Sequence, residues 1–201
     1  MLLFSVLACY AASDRSAMTD ADIEAYLPKL LEPGQRFANI EPVEGAYLRS
    51  LVIQCGAKKA LEFGTSNGYS GAWMAMGLRK TGGTLVTIEI DPKRRAQAVE
   101  NFRAMGLDSI VNSVIADALV EGPKVQGPLD FVFIDAWKPD YLRYYNMVIP
   151  KMRKGGIIVA HNVISHPKDM ADFLETIKSD PRVKTEIVKP GWQGFSVSVV
   201  Q

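Results

Sequence analysis

Between Lys59 and Ala160, short apolar runs alternate with longer amphipathic ones, and that rhythm leaves few folds open. Lys59–Phe63, Thr84–Ile90, Ile110–Ala116, Leu129–Ile134 and Ile157–Ala160 read as strands, the last opened by Gly155-Gly156. Leu129–Ile134 is almost continuously apolar, as expected of a strand buried on both faces. Tyr69–Arg79 and Tyr141–Ile149 read as helices. So does the segment that begins with Asp91 as N-cap and Pro92 in the first helical position, where Val99 and Phe102 carry the buried face until Gly106. Met170, Phe173, Leu174 and Ile177 mark a further amphipathic helix, and Gly122–Pro128 reads as a surface loop. Upstream, Ile23, Tyr26, Leu27 and Leu30 keep helical spacing around Pro28, and a second helical stretch runs from about Pro42 to Val52. Strands alternating with helices predict an α/β fold: a doubly wound, mostly parallel sheet of about seven strands with helices on both faces. Only Lys189–Gly194 separates the final runs Val183–Val188 and Phe195–Val200, too little for a parallel crossover of about a dozen residues. The last strand is therefore expected to run antiparallel.

Composition narrows the partners. With 48% hydrophobic residues and a net charge of +1, the 201 residues form a core rather than a disordered chain. The balance of 23 basic against 22 acidic residues argues against nucleic acid held by phosphate charge. Two cysteines make neither a disulfide framework nor a zinc set. No apolar run approaches the ~20 residues of a membrane span. Met1 to Ala12 is apolar throughout, and Val6-Leu7-Ala8-Cys9 loosely resembles a lipoprotein cleavage site, but no Lys or Arg precedes it. Met18 offers a second start, with Thr19 as N-cap and Asp22 three residues on. Residues 1–17 are thus expected to be an appendage (signal, anchor or mis-set start) to one domain over 18–201. The expected location is cytoplasmic, with export or lipid anchoring as the alternative.

Ala60-Leu61-Glu62-Phe63-Gly64-Thr65-Ser66-Asn67-Gly68-Tyr69-Ser70 carries a strand through a small-residue turn into a helix, a geometry that brings a ligand onto backbone amides. It is not the dinucleotide fingerprint, because G-x-G-x-x-G from Gly64 would need glycines where Ser66 and Tyr69 stand. Glu62 would repel a pyrophosphate and could pair with a cation. Glu89 ends the next strand, where a doubly wound sheet places an acid for a ribose diol. Asp117 follows the third strand, within reach of an adenine amino group.

E-x-G-x-x-x-G-x-S followed by Val86-Thr87-Ile88-Glu89-Ile90 resembles the S-adenosylmethionine site of class I methyltransferases, on a Rossmann-like fold. More narrowly, the chain from about Asn39 to Val200 is similar to the small O-methyltransferases of the catechol and caffeoyl-CoA type. Asn39-Ile40-Glu41-Pro42-Val43-Glu44-Gly45 matches the segment that precedes that family's first strand. The resemblance implies a cofactor site of Asn39, Ile40, Glu62, Gly64, Gly68, Tyr69, Ser70, Glu89, Ile90, Asp117, Asp135 and Trp137. A cationic sulfonium suits a site of several carboxylates.

Asp135-Ala136-Trp137-Lys138 ends one strand, and His161-Asn162 ends the next. In the resembled family these positions bind a divalent cation that holds the acceptor hydroxyls, while the lysine takes the acceptor proton. That implies Asp135, His161 and Asn162 as metal ligands, with Lys138 and His161 as catalytic residues. His161 stands where the family has Asp, which favours Mn²⁺, Fe²⁺, Zn²⁺ or Ni²⁺ over Mg²⁺. A metal-free site with His161 as general base is equally open. Gln193 stands where catechol-type members carry Glu, which weakens a contact to a second hydroxyl. Lys93, Arg94 and Arg95 read as solvated, Tyr141, Tyr144 and Tyr145 as split between core and surface, and Cys55 as a small buried residue near a helix end. His166, before Pro167, reads as a loop residue bordering the pocket. The expected function is methyl transfer from S-adenosylmethionine to a small hydroxylated, aromatic acceptor, with a homodimer as the family's usual state. A nicotinamide-dependent oxidoreductase and an inactive cofactor-binding relative are the alternatives.

Overall fold

The computed structural model describes residues 18–32 and 39–201. The signal or anchor reading of residues 1–17, Cys9 included, lies outside the described residues. Helix α1 (Asp20–Tyr26) is N-capped by Thr19, whose hydroxyl accepts from the Asp22 amide while the Asp22 carboxylate accepts from the Thr19 amide. It runs into a 3₁₀ turn, Leu27–Leu31, where the lost amide of Pro28 is harmless. Helix α2 (Pro42–Gln54) leads to β1 (Lys59–Phe63), α3 (Tyr69–Thr81), β2 (Thr84–Glu89), α4 (Pro92–Ala104), β3 (Val111–Ile115), the single turn α5 (Ala118–Glu121) and β4 (Leu129–Ile134). Then come α6 (Tyr141–Val148), β5 (Met152–His161), α7 (Ala171–Ser179), β6 (Val183–Val188) and β7 (Phe195–Val200).

The seven strands form one sheet in the order β3-β2-β1-β4-β5-β7-β6. All neighbours are parallel except β7, which runs antiparallel to both β5 and β6. The order reverses between β1 and β4, so the cleft opens at the carboxyl ends of those two strands. Side-chain alternation divides the core between the two faces. Phe131 and Phe133 of β4 pack with α2, α3 and α4, whereas Val132 and Ile134 pack with α6 and α7. Asp20 ties the first three helices together through Arg49 of α2 and Arg79 of α3.

Four details differ from the sequence expectation. Strand β5 starts at Met152, not Ile157, because Gly155 and Gly156 form a bulge inside it: Leu129 pairs with Met152, but Phe131 pairs with Ile157. On α4, Ala98 is fully buried and Val99 only partly so, since Asn101 also turns inward to bond the Asn67 carbonyl. Tyr141, Tyr144 and Tyr145 are all buried, packed edge-on or stacked against Phe173 and Phe63, so the α6 aromatics form core rather than a split. Within the Gly122–Pro128 loop, Gly122 is buried against Phe63 and Met147. No helix among the described residues is long and apolar enough to cross a membrane.

Candidate active site

The switch point between β1 and β4 holds a cavity of about 460 Å³, within the range of small-molecule sites. Gly64 lies at its floor with φ +98°, and a Cβ there would collide with the Asp135 carbonyl oxygen. Only glycine lets the β1 turn approach the end of β4 this closely. At one end of the cavity stand Glu89 and Asp117; at the other stand Asp135, Trp137 and Lys138. Asn39, Ile40, Ser70 and Ile90 also line it.

The loop amides are already engaged. Glu89 Oε2 accepts from the Ser66 amide at 2.8 Å, and Oε1 accepts from the Ile90 and Asp91 amides at 3.1 and 3.0 Å. A carboxylate thus sits where a dinucleotide fold would seat a phosphate. Asp117 caps α5 by accepting from the Leu119 amide at 2.8 Å. Glu62, Gly68 and Tyr69 do not line the cavity. Glu62 lies beneath it, fully buried, and accepts from Thr87 Oγ1 at 2.6 Å and Ser70 Oγ at 2.5 Å. Burial pushes its carboxyl up to about 8, against the opposing pull of those two hydroxyls. Gly68 is the left-handed residue that opens α3, with Phe102 against its Cα, and Tyr69 is a core residue.

At the acceptor end, Lys138 Nζ lies 3.1 Å from Asp135 Oδ1 and 5.7 Å from the centre of the Tyr141 ring. His161 stands behind Asp135, 2% exposed, between the rings of Phe133 and Phe195. Its Nδ1 is 3.2 Å from Asp135 Oδ2, and its Nε2 is 3.2 Å from Glu44 Oε2. Burial alone would lower the imidazole pKa, but the two carboxylates overcome it and hold the ring at about 9. Burial likewise opposes the charge on Asp135, yet His161 and Lys138 keep its carboxyl at about 2. Asn162, at φ +62°, donates through its amide to Gln193 Oε1.

These positions do not fit the metal set the resemblance implies. Both ring nitrogens of His161 face carboxyl oxygens of Asp135 and Glu44, and among the described residues no three acidic, His or Cys groups converge on one point. The same two contacts engage both nitrogens away from the cavity, and the ring does not line it, so His161 has no path to an acceptor proton as a general base. Arg94 is a second correction. It lines the cavity rather than lying in solvent, because the Asp91 cap turns the first turn of α4 towards the strand ends. Arg95 donates to the Ser113 carbonyl. His166 is exposed on its loop and does not line the cavity. Cys55 is partly buried at the end of α2.

A doubly wound sheet with an antiparallel last strand, an acid-lined switch-point cleft and no phosphate cradle defines a class I methyltransferase architecture. The chain belongs to the O-methyltransferase family, whose model matches residues 31–191. It is 39% identical over 176 residues to a catechol O-methyltransferase of Niastella koreensis, covering 86% of this chain and 77% of that protein. It is 31% identical to a catechol O-methyltransferase of Mycobacterium tuberculosis, with 79% of each chain covered. An O-methyltransferase from Bacillus cereus, solved in complex with SAH, superposes with TM-score 0.79 at 29% identity over 94% of both chains. The chain is a methyltransferase enzyme, and the oxidoreductase alternative falls with the family match.

Proposed function

We propose that this enzyme moves a methyl group from S-adenosylmethionine to the hydroxyl of a small aromatic acceptor. The observation that carries the reading is the occupation of the Ser66, Ile90 and Asp91 amides by the Glu89 carboxylate, beside Asp117 in the same cavity. That end offers acceptors for sugar hydroxyls and an amino group, and no seat for a pyrophosphate. The cofactor, when bound, supplies an electrophilic methyl on a cationic sulfur. Glu89 and Asp117 hold its nucleoside portion, and Gly64 and Ser70 border the portion nearer Asp135.

The chain supplies the remainder. Trp137, 69% exposed at the cavity mouth, gives the acceptor ring a surface to stack on. Lys138 Nζ, anchored by Asp135 and by the Ala136 carbonyl at 3.2 Å, meets the acceptor hydroxyl; as the neutral amine it takes the hydroxyl proton, becoming the ammonium, while the oxygen attacks the methyl. Positioning of that oxygen then accounts for much of the rate. Near-neutral net charge favours a small molecule over a nucleic acid. A homodimer and a cytoplasmic location complete the reading, testable by light scattering and cell fractionation. The direct test is calorimetry with S-adenosylhomocysteine, followed by a screen of phenolic acceptors that reads its release. Micromolar binding and turnover of at least one phenol are expected; no binding at millimolar ligand would sink the assignment.

A further inference from the structure

At the acceptor end, four ionisable side chains are joined in one chain of contacts. Two are acids, Glu44 and Asp135, and two are bases, His161 and Lys138, linked in the chain Glu44–His161–Asp135–Lys138 by contacts of 3.2, 3.2 and 3.1 Å. Each ring nitrogen of His161 lies within hydrogen-bond distance of a carboxyl oxygen, so neither is directed at open space where a metal could sit. Glu44 is wholly buried, and its Oε2 also accepts from the Glu41 amide at 2.9 Å. It reaches His161 from the first turn of α2, on a different element from the strand ends.

We propose that this site works without a divalent cation: the His161 ring, clamped between Glu44 and Asp135 where the family's metal-ligand pattern would continue, turns neither nitrogen towards a place for a metal. The proposal deepens the methyltransferase reading and rests on it for the identity of the acceptor end. Geometry supports it. Both Asp135 oxygens are already engaged, Oδ1 by Lys138 Nζ at 3.1 Å and Oδ2 by His161 Nδ1 at 3.2 Å, so a dication placed there would have to displace one of them. Phe133 and Phe195 close the other sides of the His161 ring, at centroid distances of 6.3 and 5.2 Å, and leave it no aqueous face for an exchangeable ligand. The consequence for substrate choice is that acceptor recognition does not require two adjacent hydroxyls to chelate an ion. One hydroxyl facing Lys138 suffices, and a monohydroxylated ring is as acceptable as a diol.

Two measurements on the full wild-type chain test this. In the first, protein freed of metal by chelator and gel filtration is titrated with Mn²⁺ and followed by electron paramagnetic resonance. The free-ion signal is expected to show no loss; a loss of one equivalent per chain overturns the proposal. The second uses ¹⁵N-histidine labelling. The chain has two histidines, so deletion of one set of signals in His161→Gln assigns the other. The His161 ring nitrogens are expected to keep their shifts when Zn²⁺ is added, and a displacement of either at one equivalent overturns it. Calorimetry with S-adenosylhomocysteine in chelator, run alongside, separates the two readings. Absence of that binding would refute the methyltransferase assignment, whereas the Mn²⁺ and ¹⁵N results judge the metal-free site alone.

Discussion

Removing the His161 ring should destabilise the fold more than most single substitutions. In His161→Ala, Glu44 loses, among the described residues, its one ion-pair partner while remaining fully buried, with the Glu41 amide as the remaining donor to Oε2 and no partner for Oε1. Asp135 fares better, because Lys138 still reaches it. Breaking one side of a buried pair costs about 3–5 kcal/mol, most of it the uncompensated charge left behind. The emptied space beside Phe133 and Phe195 adds to that. Against a total stability of about 5–15 kcal/mol, a loss near 4 is severe. For a chain of this size it corresponds to a fall in Tm of roughly 10 °C. Urea unfolding of wild type, His161→Gln, Glu44→Gln and the double variant measures the coupling directly. The double variant buries neither charge, so it should lose at least ~1 kcal/mol less than the two single losses summed. Additivity within about 0.5 kcal/mol, or a His161→Ala cost under ~1 kcal/mol, would refute the clamp.

The other predictions concern the cavity. Lys138→Met should lower kcat by about 10²–10⁴ while S-adenosylhomocysteine affinity stays unchanged in calorimetry, as expected for a group that handles the acceptor proton. Gly64→Ala should cost more than ~2 kcal/mol in thermal or urea unfolding, because it combines a left-handed backbone with a collision against the Asp135 carbonyl. Glu62 holds its proton up to about pH 8 in the folded chain, against a reference of 4.5. Between those values the folded state binds one proton more than the unfolded state, so stability falls as pH rises by at most about 1.4 kcal/mol per unit. Glu62→Gln should remove that decline, so its stability relative to wild type rises from about pH 5 to pH 8 in urea unfolding; a constant difference would contradict the assignment.

The frame was readable because period and connection length fix it locally. The alternation through Leu129–Ile134 and the short Lys189–Gly194 connection were sufficient for a mostly parallel sheet with a reversed last strand. The β5 bulge was not, because Gly155-Gly156 opens a strand or interrupts one equally well, and only pairing with β4 decides which. The cleft's acids were legible for a similar reason: Glu89, Asp117 and Asp135 end strands, and strand ends in such sheets line the crevice. Glu62 also belongs to β1, but its side chain alternates beneath the loop rather than into the cavity. Arg94 was hidden because helical position alone does not say which way a first turn faces. The Asp91 cap could have pointed to it.

His161 shows where strand-end reasoning reaches its limit. Beside Asn162 in sequence, and with Asp135 at the end of the neighbouring strand, a histidine reads as a metal ligand or a base. Both readings assume that one ring nitrogen is free. Glu44 removes that freedom from 117 residues away, at the start of a helix whose own capping pattern, Glu41 with Glu44, already gave the side chain a local reason to exist. Glu44 Oε2 serves both purposes, accepting from the Glu41 amide and from His161. A capping acid therefore does double service: it starts α2 and fixes the ring behind Asp135. The two residues make physical sense together, since His161 without Glu44 would keep Asp135 alone as a hydrogen-bond partner, and Glu44 without His161 would be a buried acid with no side-chain partner among the described residues. The pair thus links the segment Asn39 to Glu44, which borders the cofactor cavity, to the strand end that presents Lys138's anchor. Any change that loosens one should be felt at the other.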